Sequence, residues 1–178
     1  MTYEEIVERA ASAAKPVAPQ VDIDHLRVVI DIEFSTVLEQ VSDTFAGTSQ
    51  GDMLRQDVPL TFVSGFVTAP DKVLLKHLKR GRLYTSDVNA FYSHEREGTD
   101  LANLDRRLGY WKLNGVTIEA VTPTDGIGLD GSATLNTPCV PDTPTLYTDQ
   151  FTGPADMIPE LIDALAAKAV GVVRMKAA

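Results

Sequence analysis

Between residues 22 and 47 the sequence repeats one apolar stripe. Leu26, Ile30, Phe34, Val37, Val41 and Phe45 follow one another at spacings of four, four, three, four and four. Such spacing holds one face of an α-helix for about five turns, and no strand keeps its side chains aligned that way. Ile23, Val29 and Leu38 widen the stripe, so this helix is expected to be covered on more than one side. Asp22 or Asp24 can cap its start, and Gly47 with the polar residues after it ends it.

Shorter helices are expected at both ends of the chain. Thr2 and Glu5 have the spacing of a capping box, and Glu4 and Glu5 suit the positive end of a helix dipole. Ile6, Val7, Ala10, Ala13 and Ala14 then form a thin apolar stripe that needs another surface to pack on, before Pro16 and Pro19 stop it. Near the other end, Pro159 suits a first helical turn, and Leu161, Ile162, Leu165, Ala166, Ala169, Val170 and Val173 share a face. Ala166, Ala167, Ala169 and Gly171 are small enough for a second helix or a neighbouring subunit to approach closely.

The middle of the chain changes to period two. Val58, Leu60 and Phe62 alternate with Pro59, Thr61 and Val63, and Ser64-Gly65 offers a turn into Phe66-Val67-Thr68. Pro59 suggests an edge strand or a strand start, because it has no N–H to donate to a ladder. Residues 108–121 read as a hairpin whose Asn114-Gly115 pair suits a type I′ turn. Residues 72–78 fit helix and strand templates equally. Ser86 is placed to cap a short helix running to His94, and short strands are expected at 132–135 and 145–147 within long loops. The fold class is α+β, with amphipathic helices at both ends packed around a small antiparallel β-rich middle. One domain, 1–178, is expected, comprising helices over 1–47, β structure over 57–150 and a closing helix over 157–176.

With 178 residues the chain can bury a full core, and its single cysteine excludes internal disulfides and multi-cysteine zinc sites. The net charge of -9 argues against general nucleic-acid binding, which needs a basic face for phosphates. No apolar run is long enough to span a bilayer. The start is acidic and does not read as a signal peptide, so synthesis and assembly in a cytosol are expected. Acidic side chains dominate residues 1–50 (9 against 3 basic) and 113–178 (8 against 3), whereas residues 51–112 hold 10 basic and 8 acidic.

Candidate chemistry is sparse. His25, His77 and His94 show no helical metal-ligand spacing. His94-Glu95 leads into the charged surface-like run Glu95-Arg96-Glu97, and Cys139 has no base beside it in sequence. Gly126-Ile127-Gly128 and Gly131 lie between Asp125 and Asp130, whose charge would repel a phosphate, and Asp125, Asp130 and Asp142 lack calcium-loop spacing; a flexible loop is expected there. Trp111, after Tyr110, reads as core or interface packing, with a stacking platform for a base or sugar as the unsupported alternative. Lys72, Lys76, Lys79, Arg80 and Arg82 form either a solvated face or a docking patch for an acidic partner or for phosphate passing close by. No catalytic, cofactor-binding or metal-binding residue is assigned. A small enzyme or ligand-binding domain with a site around His94, Glu95 or Cys139 is the reading from a different class.

The order of these features resembles the head-to-tail adaptor, or connector, proteins of tailed bacteriophages. After an amphipathic helix comes the strand–turn–strand of residues 59–71, from Pro59 through Ser64-Gly65 to Pro70-Asp71. Then comes the hairpin of residues 108–123, from Leu108-Gly109-Tyr110-Trp111 through Asn114-Gly115 to Pro123. The Pro159-Glu160 start of an alanine-rich helix follows over residues 158–169. The resemblance implies a structural virion protein without catalytic residues, located at the head–tail interface. It implies a homo-oligomeric ring, a dodecamer, below the portal protein, contacting neck or tail proteins and extending the DNA channel without binding DNA specifically or touching a membrane. Another neck, tail-completion or tail protein would share the same acidic, site-poor composition.

Overall fold

The computed structural model describes residues 1–85, 91–94, 107–121 and 127–177, and of residues 79, 80, 91–94, 107, 108, 176 and 177 only the backbone. The fold is α+β, with two helices first, a β-rich middle and a closing helix. The chain divides into two compact units, Met1–Thr48 with Val140–Ala178 and the intervening Ser49–Cys139.

The first unit is helical. α1 (Tyr3–Ala14) starts on the expected capping box, in which Thr2 Oγ1 accepts from Glu5 N at 3.2 Å and Glu5 Oε2 from Thr2 N at 2.8 Å. α2 (Ile23–Ala46) is capped by Asp22, whose carboxylate accepts from Asp24 N at 2.9 Å. α3 runs over Ile158–Ala177. Each helix packs against the other two. The thin stripe of α1 thereby finds its cover: Ile6, Val7, Ala10, Ala11 and Ala14 are buried, as are Ala166 and Ala169 of α3. Those alanines close a helix–helix contact inside the subunit, while Ala167 and Gly171 remain exposed. On α2, Leu26, Ile30, Phe34, Val37, Val41 and Phe45 are all buried together with Val29 and Leu38, so the wide stripe faces a shared core. Burying each large side chain of this kind contributes roughly 1.5–3 kcal/mol.

The second unit is one seven-stranded sheet, ordered β1-β7-β3-β4-β5-β6-β2. Its strands are β1 (Arg55–Phe62), β2 (Phe66–Thr68), β3 (Arg82–Tyr84), β4 (Phe91–His94), β5 (Arg107–Asn114), β6 (Thr117–Val121) and β7 (Gly131–Pro138). All neighbours are antiparallel except β4 and β5. Of the two places open to Pro59 it takes the edge rather than a strand start: it lies in the middle of β1, which is one edge of the sheet, and β2 is the other. Yet β1 and β2 are consecutive, joined by Val63, Ser64 and Gly65, with Val63 and Phe66 exchanging both backbone hydrogen bonds at 3.0 Å across Ser64-Gly65. The sheet therefore curls until its edges meet. Its inward side chains, among them Val58, Leu60, Phe62, Leu83, Trp111, Ile118, Ala133 and Leu135, form a single core.

Several details differ from expectation. The type I′ geometry belongs to Ser64-Gly65, both at positive φ (51° and 89°), rather than to Asn114-Gly115. In the second hairpin Asn114 pairs with Thr117, so Gly115 and Val116 are the central residues, and only Gly115 has positive φ (63°), as in a type II′ turn. The registers of β5 and β6 decide this, overriding the Asn-Gly preference. The helix expected from Ser86 to His94 ends instead in β4, which pairs with β3 and β5; residues 86–90 lie outside the described residues. Residues 72–78 resolve into an isolated bridge at Val73 and a 3₁₀ turn over Leu75–Arg80.

The strand expected at 132–135 is the longer β7, but none forms at 145–147. There Asp149 Oδ2 accepts from the N–H groups of Thr145 (2.9 Å) and Leu146 (2.8 Å), gathering the backbone into a turn. Residues 140–150, assigned above to the β region, belong with the helices.

Candidate functional site

Within the helical unit, a polar cluster surrounds Asp31 on α2. The Tyr3 hydroxyl donates to its Oδ1 at 2.9 Å, and the Tyr147 hydroxyl donates to its Oδ2. The two phenol rings stack at 5.5 Å, and Tyr3 meets Phe34 edge-on at 4.7 Å. Burial, then the hydrogen bond to Asp31, raises the Tyr3 hydroxyl pKa; for Tyr147 the hydrogen bond leads. Both phenols are thereby held as protonated donors, and Asp31 spends both oxygens accepting from them. The cluster works as a pin. It ties residues 145–151 and the start of α1 to α2, reinforced by Tyr3 N donating to Asp149 O (2.9 Å), Glu4 N to Tyr147 O (3.1 Å) and Phe151 N to Met1 O (3.0 Å). Beside it Arg27 bridges Glu8 of α1 (2.5 Å) and Asp24 (2.7 Å), and Lys168 of α3 reaches Glu33 at 3.5 Å.

This cluster escapes a reading of the sequence, because its partners lie 28 and 116 residues from Asp31. No local motif marks it; only the fold brings the side chains together.

The residues singled out from the sequence are dispersed. His25 is exposed on α2 in the helical unit. In the β unit, His77 is half-buried in the 3₁₀ turn, and His94 ends β4 opposite Trp111 of β5. Cys139 is fully enclosed in the β core as a free thiol, its Sγ donating to the Thr137 carbonyl at 3.5 Å. Its burial leaves no room for a reagent at the sulfur. Glu95, Arg96, Glu97, Asp125 and Gly126 lie outside the described residues. Among the described residues no three His, Cys, Asp or Glu side chains gather to hold a metal, and no helix is long and apolar enough to cross a membrane.

Gly128, read above within a flexible loop, has a defined steric task. It bridges to Val121, and a Cβ on it would lie 2.7 Å from Gly65 Cα and from Gly65 N. Gly65 N donates to Leu129 O, Leu129 N to Ala120 O and Ala120 N to Gly65 O, each at 2.9 Å, while Asp130 accepts from Ser64 N. Two bare backbones touch where the curled sheet closes, which accounts for both glycines without a phosphate.

What the described surface offers is apolar side chains in the open. Val28 and Ile32, one turn apart on α2, are 54% and 72% exposed; Val63 and Phe66, flanking the tight turn of the β unit, are 70% and 50% exposed. Exposed apolar residues in ones and twos are common on protein surfaces, so these positions are available for contact without by themselves marking an interface. No family model matches the chain, and no curated protein matches its sequence.

Proposed function

We propose that this protein is a structural virion protein: a head-to-tail adaptor that forms a ring below the portal of a tailed bacteriophage and extends the DNA channel. One observation carries the reading. The three segments on which the resemblance rests occur in order as a strand–turn–strand (β1–β2), a hairpin (β5–β6) and a closing alanine-rich helix (α3). Ring assembly from identical subunits needs two different complementary patches on each, and exposed apolar residues occur on both units. A net charge of -9 suits a channel wall that repels DNA phosphates and keeps the passing duplex from sticking. In this reading the partners are portal protein on one side and neck or tail proteins on the other, the ring is a dodecamer, and the location is the head–tail interface.

The test is the mass of the purified chain, alone and mixed with portal particles, by light scattering and negative-stain microscopy. A chain that joins a ring on the portal supports the adaptor. Binding to tail particles instead would make it a tail or tail-completion component, and indifference to both would overturn the reading.

A further inference from the structure

Two asparagines lie among the described residues, and the fold treats them oppositely. Asn136, inside β7, has its side-chain amide held at both ends. Its Oδ1 accepts from the Arg55 guanidinium at 2.8 Å, and its Nδ2 donates to Asp57 Oδ1 at 2.8 Å. Thr137, which follows it, is buried. Asn114 ends β5 and is exposed, and among the described residues no hydrogen bond engages its side-chain amide. Gly115 follows, also exposed, at φ 63° with nothing within 4 Å of where a Cβ would lie. Asn114 and Thr117 form the last pair of the β5–β6 ladder, and the Gly115 N–H donates to no backbone carbonyl among the described residues.

We propose that Asn114 is a self-modification site, at which the side-chain amide of the folded chain becomes a carboxylate without an enzyme. The Gly115 backbone nitrogen gives its proton to hydroxide and attacks Asn114 Cγ. The Cγ–Nδ2 bond breaks, and the leaving nitrogen takes a proton from water and departs as ammonia, which restores the hydroxide and leaves a succinimide ring. Water then reopens the ring. Addition at Cγ breaks its bond to the Gly115 nitrogen and gives aspartate with the main chain as before. Addition at the main-chain carbonyl carbon of residue 114 breaks that bond instead, and the main chain then runs through Cβ and Cγ as isoaspartate. In sum, one amide and one water become one carboxylate and one ammonium.

The structure leaves this step open at Asn114 and closes it at Asn136. Glycine puts no side chain beside the attacking nitrogen, and its backbone freedom lets that nitrogen approach Cγ. Attack also needs Asn114 to rotate out of its extended conformation, and the terminal pair of a ladder is where local opening costs least. Asn136 is bonded through both amide atoms and sits in a strand paired on both sides. Conversion adds a negative charge at the hairpin tip. The isoaspartate form also lengthens the main chain beside Val116, whose carbonyl accepts from Ala69 N at 2.9 Å, and beside Thr117, which pairs with Thr68 of β2.

The experiment holds the purified full chain in mildly alkaline buffer below its unfolding transition, with circular dichroism confirming that it stays folded. Digestion after Lys, Arg and Glu releases residues 113–119 as one peptide and puts Asn136 in another. Mass spectrometry should show the 113–119 peptide gaining the mass of NH₂ replaced by OH and dividing into aspartate and isoaspartate forms, with the Asn136 peptide unchanged. Gly115→Ala should slow the conversion roughly tenfold, equivalent to about 1.4 kcal/mol on the barrier. Asn114→Gln keeps an amide but must close a larger ring, and should abolish it. An Asn114 that stays intact in the folded chain, whatever the same chain does in urea, overturns the inference. So does an Asn136 that converts as fast, or a rate indifferent to Gly115→Ala.

Discussion

Gly128→Ala isolates the contact that closes the sheet. The φ of Gly128 is not positive, so alanine there meets no backbone strain and the whole effect is steric. The new Cβ would lie 2.7 Å from Gly65 Cα, Gly65 N and the Ser64 carbonyl carbon, against about 3.5–4.0 Å for comfortable carbon–carbon contact. All three obstacles are backbone, so no side chain can rotate away, and the segments must part by about 1 Å. That stretches the 2.9 Å hydrogen bonds linking Gly65, Ala120 and Leu129 well past the roughly 3.2 Å limit of a good N–H···O bond. Losing two or three of them, at about 1 kcal/mol net each, costs about 2–3 kcal/mol, in line with overpacking penalties of roughly 1–3 kcal/mol. In a chain of 178 residues this corresponds to a midpoint drop of about 4–12 °C. The chain's one tryptophan, Trp111, lies in the β core and reports the transition by fluorescence during a thermal melt. Gly115→Ala is the control: nothing lies within 4 Å of its Cβ, so only its φ of 63° costs, by about 1 kcal/mol. A Gly128→Ala midpoint within about 1 °C of the parent, or a smaller effect than Gly115→Ala, would refute the steric account.

Gly171→Ala should act in the opposite direction, since it lies inside α3 with nothing within 4 Å; a gain of about 0.5–1 kcal/mol in denaturant unfolding is expected. Ala169→Glu would bury a carboxylate between helices at a position 1% exposed, so it should unfold the helical unit, seen as lost helical circular dichroism, rather than report on any interface. Tyr3→Phe removes a hydrogen bond to Asp31 and should cost about 1 kcal/mol at neutral pH. Because the folded-state pKa values of Tyr3 and Tyr147 are raised, their contribution is complete below the ordinary tyrosine pKa near 10 and is lost as pH climbs above it. Stability followed from pH 9 upward should therefore fall less steeply in Tyr3→Phe than in the parent.

Much of the helical unit was legible because its signals are local. The Thr2–Glu5 capping box, the Asp22 cap and the 26–45 stripe each lie within a few residues, and each forms as spaced. The alternation at Val58, Leu60 and Phe62 likewise marked a strand and its inward face, with Pro59 allowing an edge. What escaped depends on pairing at a distance. β3 and β4 hold three and four residues and exist through β7 and β5, so no periodicity announces them. Ser86 advertises a helix start, but the segment it leads into ends as a strand beside β5. The turn at Asn114-Gly115 shifted by one residue because cross-strand register, not the dipeptide, chooses the central pair. Asp31 and its two tyrosines show no shared pattern at all.

The position at which the chain enters and leaves the β unit governs the order in which this protein can fold. Arg55 pairs with Pro138, and Cys139 N donates to Leu54 O at 3.0 Å, so the unit's two ends lie side by side. Residues 49–139 are contiguous in sequence, and their core can close once β7 has been synthesised. The helical unit cannot: α1 and α2 must wait for α3, whose first residue comes more than a hundred positions after the end of α2. On a ribosome adding roughly 5–20 residues per second, the alanine faces of α1 and the stripe of α2 stand uncovered for several seconds after they emerge. A completed β unit shortens that exposure, because it holds residues 54 and 139 together and turns a long loop closure into a local one. The helices made first are thus the last to acquire their core.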